Sequence, residues 1–214
     1  MKRLFFLMFI ILLLLTSSIG YSLDMNTKLM GKVIVIDAGH GGKDSGTLYG
    51  DLLEKDLNLA IALKLKEQLT SYGVDVIMTR ESDNDLSDKD AKRRKKSDFD
   101  HRIELINNSN ADLYLSIHMN YLADSKYYGA QVFYTTGNEI LASTIQNGFR
   151  KDLGTPRLEK KMSNDLYMYK KLEVPGVLIE CGFLSNSNDR NHLRDDNYQD
   201  LFVQSIIKSL LIYY

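Results

Sequence analysis

Two histidines and two glutamates stand out by where they fall relative to apolar runs. His40 follows Val33-Ile34-Val35-Ile36-Asp37-Ala38-Gly39, His118 ends Leu113-Tyr114-Leu115-Ser116-Ile117, and Glu180 ends Val177-Leu178-Ile179. Such runs read as strands buried on both faces of a parallel sheet. A side chain set just past the carboxyl end of one sits where open α/β sheets place their ligands. Two imidazoles and a carboxylate delivered this way point to a metal-centred active site, because catalytic zinc is commonly held by three protein ligands and two histidines with one glutamate is a known set. Glu54 and Glu180 compete for the carboxylate position. Glu54 lies fourteen residues beyond His40, after a glycine-rich loop that lets it fold back over the strand end. Glu180 is then left uncoordinated, free to take a proton from water. Glu54 taken alone could instead simply favour the positive end of a helix.

The other candidates read as structural. Asp37 is expected to order the turn after its strand through backbone hydrogen bonds rather than to bind metal. Cys181 follows Glu180 directly and so points to the opposite face of the strand, which predicts a packed, inert thiol. His101, at a helix start, and His192, in a loop, sit among polar residues and are assigned to the surface.

The elements that must hold these side chains alternate between strand and helix. After the first strand a helix is predicted over 56–71, with Leu57, Ala60, Ile61, Leu65 and Leu69 on one face and Gly73 near its stop. A strand over 74–79 follows, then a long charged stretch over 81–98 read as an exposed loop. Within that loop Lys92-Arg93-Arg94-Lys95-Lys96 is a basic run, either a solvated face or a contact for an anionic wall polymer or a partner. A helix over 99–109 leads to the His118 strand. Residues 129–134 read as a strand, and Asn138 as the cap of a helix carrying Leu141, Ile145, Phe149 and Leu153, ended by Gly154. A short strand over 166–169, the Glu180 strand after Pro175, and a last helix over 198–213 complete the order. The pattern predicts one α/β domain, a twisted and mostly parallel sheet of about six strands flanked by helices on both faces.

The chain has 214 residues, enough for one domain with a full core. A net charge of −1 gives no global basic character of the kind nucleic-acid binders need. The single cysteine excludes an intrachain disulfide. Met1-Lys2-Arg3, an apolar run from Leu4 to Leu15 and the small residues of 16–22 have the layout of a secretory signal peptide. Residues 1–23 are therefore expected to be a signal peptide or an N-terminal membrane anchor that takes the protein out of the cytoplasm, with the catalytic domain over 24–214.

Four ordered blocks carry a family resemblance: residues 33–47 (VIVIDAGHGGKDSGT), 54–60 (EKDLNLA), 111–120 (ADLYLSIHMN) and 177–186 (VLIECGFLSN). Together they resemble the zinc-dependent N-acetylmuramoyl-L-alanine amidases of the Amidase_3 type, hydrolases of the bacterial cell wall. The resemblance implies that His40, Glu54 and His118 bind Zn2+, that Glu180 is catalytic, and that Arg102 has a role at the site. It implies hydrolysis of the amide between the lactyl group of N-acetylmuramic acid and L-alanine in peptidoglycan. The charged stretch before 100–102 and residues 161–169 are most similar to the germination-specific branch of spore formers, which implies work in the spore cortex ahead of a muramic acid deacetylase, so that muramic-δ-lactam can form. Met119 and Cys181 depart from the family pattern and are expected to crowd the edge of the site. No wall-binding repeats or inhibitory helix are evident, so an activating protein partner is a further expectation, with the basic run and Tyr127 and Tyr128 as candidate contacts. Two rivals are a zinc carboxypeptidase, for which His40 and Glu54 stand too far apart, and a catalytically silent peptidoglycan-binding protein of the same fold.

Overall fold

The computed structural model describes residues 27–163 and 166–214. The expected signal or anchor segment of 1–23 lies outside the described residues, and among these no helix is long and apolar enough to cross a membrane.

A six-stranded sheet forms from β1 (Val33–Ala38), β4 (Asp75–Met78), β5 (Leu113–Asn120), β6 (Gln131–Tyr134), β7 (Lys160–Lys161) and β8 (Gly176–Phe183), in the spatial order β4-β1-β5-β8-β6-β7. β6 runs antiparallel to β8, and the other neighbours are parallel. A small hairpin, β2 (Leu48–Tyr49) with β3 (Leu52–Leu53), stands apart from it. The helices are α1 (Glu54–Ser71), α2 (Arg94–Asn107), α3 (Glu139–Asp152), α4 (Ser187–Arg194) and α5 (Asp196–Tyr213).

Alternation along the buried strands sorts their side chains between the two faces. Ile34, Ile36 and Ala38 of β1, Leu115 and Ile117 of β5, and Val177 and Ile179 of β8 join the main core under α1, α3 and α5. Val35 and Tyr114 face the other way, into a smaller core with Ile106 of α2 and Met168. On that second face the same alternation also sets Asp37, Ser116, His118, Leu178 and Glu180. The thin α2 layer thus covers the chemical face, and three helices carry the bulk of the apolar burial.

The chain order creates the location of the site. β1 leads through α1 to β4 on one side, and the chain then crosses back through α2 to β5 on the other. The β1/β5 boundary is therefore a topological switch point, where the loops leaving adjacent strands diverge and open a crevice.

Several elements differ from expectation. The predicted strand over 166–169 is absent: Tyr169–Lys171 is a 3₁₀ turn, and the sixth strand is the two-residue β7, too short and too polar to show a period. α2 begins at Arg94 rather than Phe99, so part of the presumed loop is helical and most of the basic run lies on its first turn. There Arg94 pairs with Asp85 at 2.5 Å, Lys95 with Asp44 at 3.3 Å, and Lys96 with Asp100. The run is thus largely neutralised within the chain. α4 was read as a loop, because Leu193 is its one buried apolar residue. His192 is consequently helical, stacked on Tyr198. Asn138 occupies the N-cap position of α3, but its side chain makes no capping bond. Its Oδ1 instead accepts from the Gly176 backbone at the start of β8.

Phe149 of α3 stacks on Phe202 of α5 at 4.7 Å between ring centroids, and both are fully buried. This contact ties α3 to α5 in the main core. Truncation leaves a cavity as well as lost transfer energy, so Phe149→Ala is expected to lower unfolding free energy by about 3–5 kcal/mol. Urea denaturation of the purified protein checks this, and an unchanged midpoint would contradict it.

Candidate metal centre and catalytic cleft

The end of β1 is shaped by what its backbone must do. His40 has φ 61°, in the left-handed region that non-glycine residues seldom adopt. Three successive carbonyls, Ala38, Gly39 and His40, therefore turn away from strand pairing and need buried donors. They find them in Arg102, Arg80 and Asn58. Arg102 Nη1 donates to Ala38 O at 2.9 Å and Nη2 to His40 O at 2.6 Å. Arg80 donates to Ala38 O and Gly39 O, and Asn58 Nδ2 to Gly39 O.

Arg102 is 1% exposed and lies between two carboxylates, Asp37 at 2.6 Å and Asp98 at 2.9 Å. Burial alone would weaken its charge, but these two carboxylates outweigh that and raise its pKa. Asp37 feels the converse: burial opposes ionisation, while Arg102 and the Ser116 hydroxyl hold its carboxyl below the usual range. Asp37 also accepts from Thr79 at 2.9 Å and Ser116 at 2.6 Å, and Ser116 in turn meets the Tyr169 hydroxyl at 3.1 Å. Asp37 therefore orders the turn, but through side chains rather than through the backbone bonds anticipated for it. The β1 backbone is already engaged in the sheet, and only side-chain donors reach the carboxylate.

His40, Glu54 and His118 converge above this base. Their ligand atoms all lie within 4.8 Å of one another. Glu54 Oε1 is 3.1 Å from both His40 Nε2 and His118 Nδ1. The Met119 amide also donates to Oε1, and the Thr47 amide to Oε2. His40 Nδ1 stands 2.9 Å from Asp44, a close ion-pair contact off the line of a straight hydrogen bond. Glu54 is at once the first residue of α1 and a partner of both imidazoles.

Carboxylate–imidazole pairing dominates the electrostatics of the cluster. Burial would lower the pKa of His40, yet Asp44 and Glu54 raise it to about 9. Burial would raise that of Glu54, yet His118 and His40 hold it far below the carboxylate range. A buried carboxylate facing two imidazole nitrogens at this spacing fits a divalent metal of the zinc type, with Asp44 placed as the orienting partner that metal-bound histidines need.

Glu180 arrives from β8, in register with His118 on β5. Its Oε2 is buried with no hydrogen-bond partner among the described residues. Burial, and then the negative charge of Glu54, push its pKa up to about 8 against the opposing effect of His40. The cleft these residues share holds about 330 Å³. Asp37, Arg102, His40, His118, Asn120 and Glu180 line its polar side, and Phe99, Phe133, Leu166, Met168 and Leu178 its apolar side. Met119 and Cys181 do not crowd this cleft. Both turn into the main core on the opposite face, as alternation requires, and burial drives the Cys181 thiol well above its ordinary pKa.

The profile of the family described as "Amidase_3: N-acetylmuramoyl-L-alanine amidase" matches residues 34–211. The chain belongs to this amidase family. The germination-specific N-acetylmuramoyl-L-alanine amidase of Bacillus subtilis is 40% identical over 225 residues, covering 100% of this chain and 95% of that protein. N-acetylmuramoyl-L-alanine amidase LytC of the same organism is 31% identical, over 89% of this chain but only 37% of its own length. Among solved structures, the CwlD amidase from Clostridioides difficile, in complex with the GerS lipoprotein, superposes with a TM-score of 0.81 at 39% identity, covering 86% of this chain and 98% of that one. The amidase AmiC2 of Nostoc punctiforme gives 0.74 at 29% identity, covering 85% and 96%.

The amidase site also uses residues that sequence reasoning passed over, namely Asp44, Asn58, Arg80, Ser116 and Tyr169. Arg80 directly follows the predicted strand over 74–79, so the strand-end argument that found His40, His118 and Glu180 applied to it as well. The glycines of the loop have definite spatial reasons. A Cβ on Gly39 would lie 2.3 Å from the His118 ring, and one on Gly46 2.7 Å from Glu54 Oε2 and from the His40 ring. Gly39→Ala is accordingly expected to displace His118 and to weaken the binding of a divalent metal such as zinc at this cluster at least about tenfold, the lower end of what disturbing a ligand's support costs. Titration against a chromogenic chelator measures this; unchanged affinity would show that the ring tolerates the methyl group.

Proposed function

We propose that this amidase binds one zinc ion through His40, Glu54 and His118 and hydrolyses the amide joining the lactyl group of N-acetylmuramic acid to L-alanine in peptidoglycan, with Glu180 as general base and acid. The observation that carries this reading is the convergence of two imidazole nitrogens and a carboxylate oxygen within 4.8 Å beside a buried carboxyl without a partner. Zinc at such a centre supplies a Lewis acid for the amide carbonyl and makes water more acidic.

The remaining work falls to the chain. Glu180 Oε2 has no competing hydrogen bond, so it can accept a proton from the attacking water and return it to the departing amine of L-alanine. A cation beside Glu54 offsets the negative charge that raises the Glu180 pKa, which favours the ionised form a base requires. Arg102 acts from below, holding the His40 carbonyl and Asp37; on this geometry it positions the loop rather than touching the reacting atoms. The apolar wall of Phe99, Phe133, Leu166, Met168 and Leu178 removes water from one side of the cleft and offers a surface for the lactyl methyl and the sugar face.

The biological setting follows from likeness to the germination-specific relative and from the N-terminal layout of residues 1–23. We place the enzyme outside the cytoplasmic membrane, on spore cortex peptidoglycan, ahead of a deacetylase that completes muramic-δ-lactam. A protein partner belongs to the same reading, since the similar CwlD amidase was solved in complex with a lipoprotein. Tyr127 and Tyr128 are exposed and available for such a contact.

Two substitutions separate the assigned roles. Glu180→Gln keeps shape and removes the base; it is expected to retain zinc while losing activity by about 10²- to 10⁴-fold. Mass spectrometry of muropeptides released from purified peptidoglycan reads the activity, and loss of the metal instead would make Glu180 a ligand. His118→Ala is expected to lose zinc, and full occupancy by elemental analysis would overturn the ligand set.

A further inference from the structure

Arg80 is 3% exposed and forms no ion pair among the described residues, in contrast to Arg102, which lies between two carboxylates. Its donors go to main-chain carbonyls. Nε reaches Ala38 O at 2.9 Å, Nη1 reaches Ser82 O at 3.0 Å, and Nη2 reaches both Gly39 O at 3.0 Å and Lys55 O at 2.7 Å. Ala38 and Gly39 immediately precede His40. Lys55 immediately follows Glu54.

We propose that Arg80 is a positioning residue for the metal centre, its guanidinium clamping the backbone that carries His40 to the backbone that carries Glu54. The inference rests on the zinc reading given above. A planar guanidinium presents five donors in a fixed fork, so bonds to carbonyls on two segments fix their separation and relative orientation together. Buried without a carboxylate in direct contact, the charge is neighboured by these carbonyl dipoles, with Asp37, Asp83 and Asp56 acting on it from further off, and the carbonyls in turn are held pointing at it. Single bonds from Asn58 Nδ2 to Gly39 O and from Lys55 Nζ to Gly42 O cross the same gap, but neither side chain gathers carbonyls from both segments. Gly41, at φ 130°, passes close by: a Cβ there would stand 2.2 Å from the Asn84 carbonyl oxygen and 2.9 Å from Arg80 Cδ and Nε. Lysine at position 80 would keep the charge and lose the fork.

The test is Arg80→Lys in the full exported domain, with Phe149→Ala as a control that weakens the fold far from the site. Zinc affinity is measured by competition with a chromogenic chelator, and folding by circular dichroism and urea denaturation without metal. Arg80→Lys is expected to fold and to bind zinc about 10- to 100-fold more weakly, the usual cost of losing a group that orients a ligand; Phe149→Ala is expected to bind with wild-type affinity while folded. Wild-type affinity in Arg80→Lys, or an equal loss in Phe149→Ala, overturns the proposal. Should Arg80→Lys not fold, Arg80→Gln, whose single amide nitrogen cannot serve both segments, takes its place with the same expected loss, and its binding zinc normally is equally fatal. Failure of the unmodified protein to bind zinc would instead sink the metal reading itself.

Discussion

A guanidinium buried between two carboxylates underlies the cleft. Arg102 reaches from α2 through the second face of the sheet to Asp37 near the carboxyl end of β1, and from there to the carbonyls of Ala38 and His40. A buried ion pair is costly to desolvate and is rarely a net source of stability. Its value here lies in what it fixes. The pair joins α2 to the central strand, gives the backbone a reason to leave the sheet after Ala38, and holds His40 in a conformation the chain would not otherwise choose. Removing Asp37 in thought leaves Thr79, Ser116 and Arg102 without a common acceptor, and the turn that presents the first imidazole loses its foundation.

The two faces of the sheet divide the labour. The main core under α1, α3 and α5 is a close-packed apolar layer that supplies rigidity. The second face carries a chain of polar groups from Thr79 through Asp37 and Ser116 to Tyr169, with His40, Glu54, His118 and Glu180 above it. Such networks specify geometry when every member is satisfied. Glu180 Oε2, like His40 Nδ1 and the buried Tyr114 hydroxyl, is left without a hydrogen-bond partner among the described residues. Because β5 and β8 are parallel neighbours in register, His118 and Glu180 are held at the spacing of adjacent strands without help from any loop.

The legible parts of the sequence were those with a strong local signal. Buried parallel strands announce themselves as β-branched runs, which is what singles out His40, His118 and Glu180, although the strands run on past His118 and Glu180 to Asn120 and Phe183. Glu54 required one more step, the recognition that a glycine-rich loop can fold back. Short elements were not legible. β7 consists of two lysines, and α4 offers a single buried leucine, so neither has a period to detect. Residues 166–169 look strand-like from Leu, Tyr, Met and Tyr, yet they form a turn whose aromatic and sulfur side chains wall the cleft. Asp44 escaped for another reason: its contact with His40 exists only because the glycine-rich loop folds back, which no spacing in the chain records, whereas Arg80 does follow a predicted strand and shows its main-chain partners only in the fold.

The borders of the sheet carry a consequence of their own. On one side the last strand is β7, just Lys160 and Lys161, both exposed; on the other is β4, four residues beginning with an exposed Asp75. An outer strand this short and this charged offers almost no template for another chain to extend the sheet. A protein whose central strands are among the most apolar stretches of its sequence thereby keeps them enclosed. Any assembly the chain enters is therefore expected to rest on side-chain contacts more than on strands shared across these two edges.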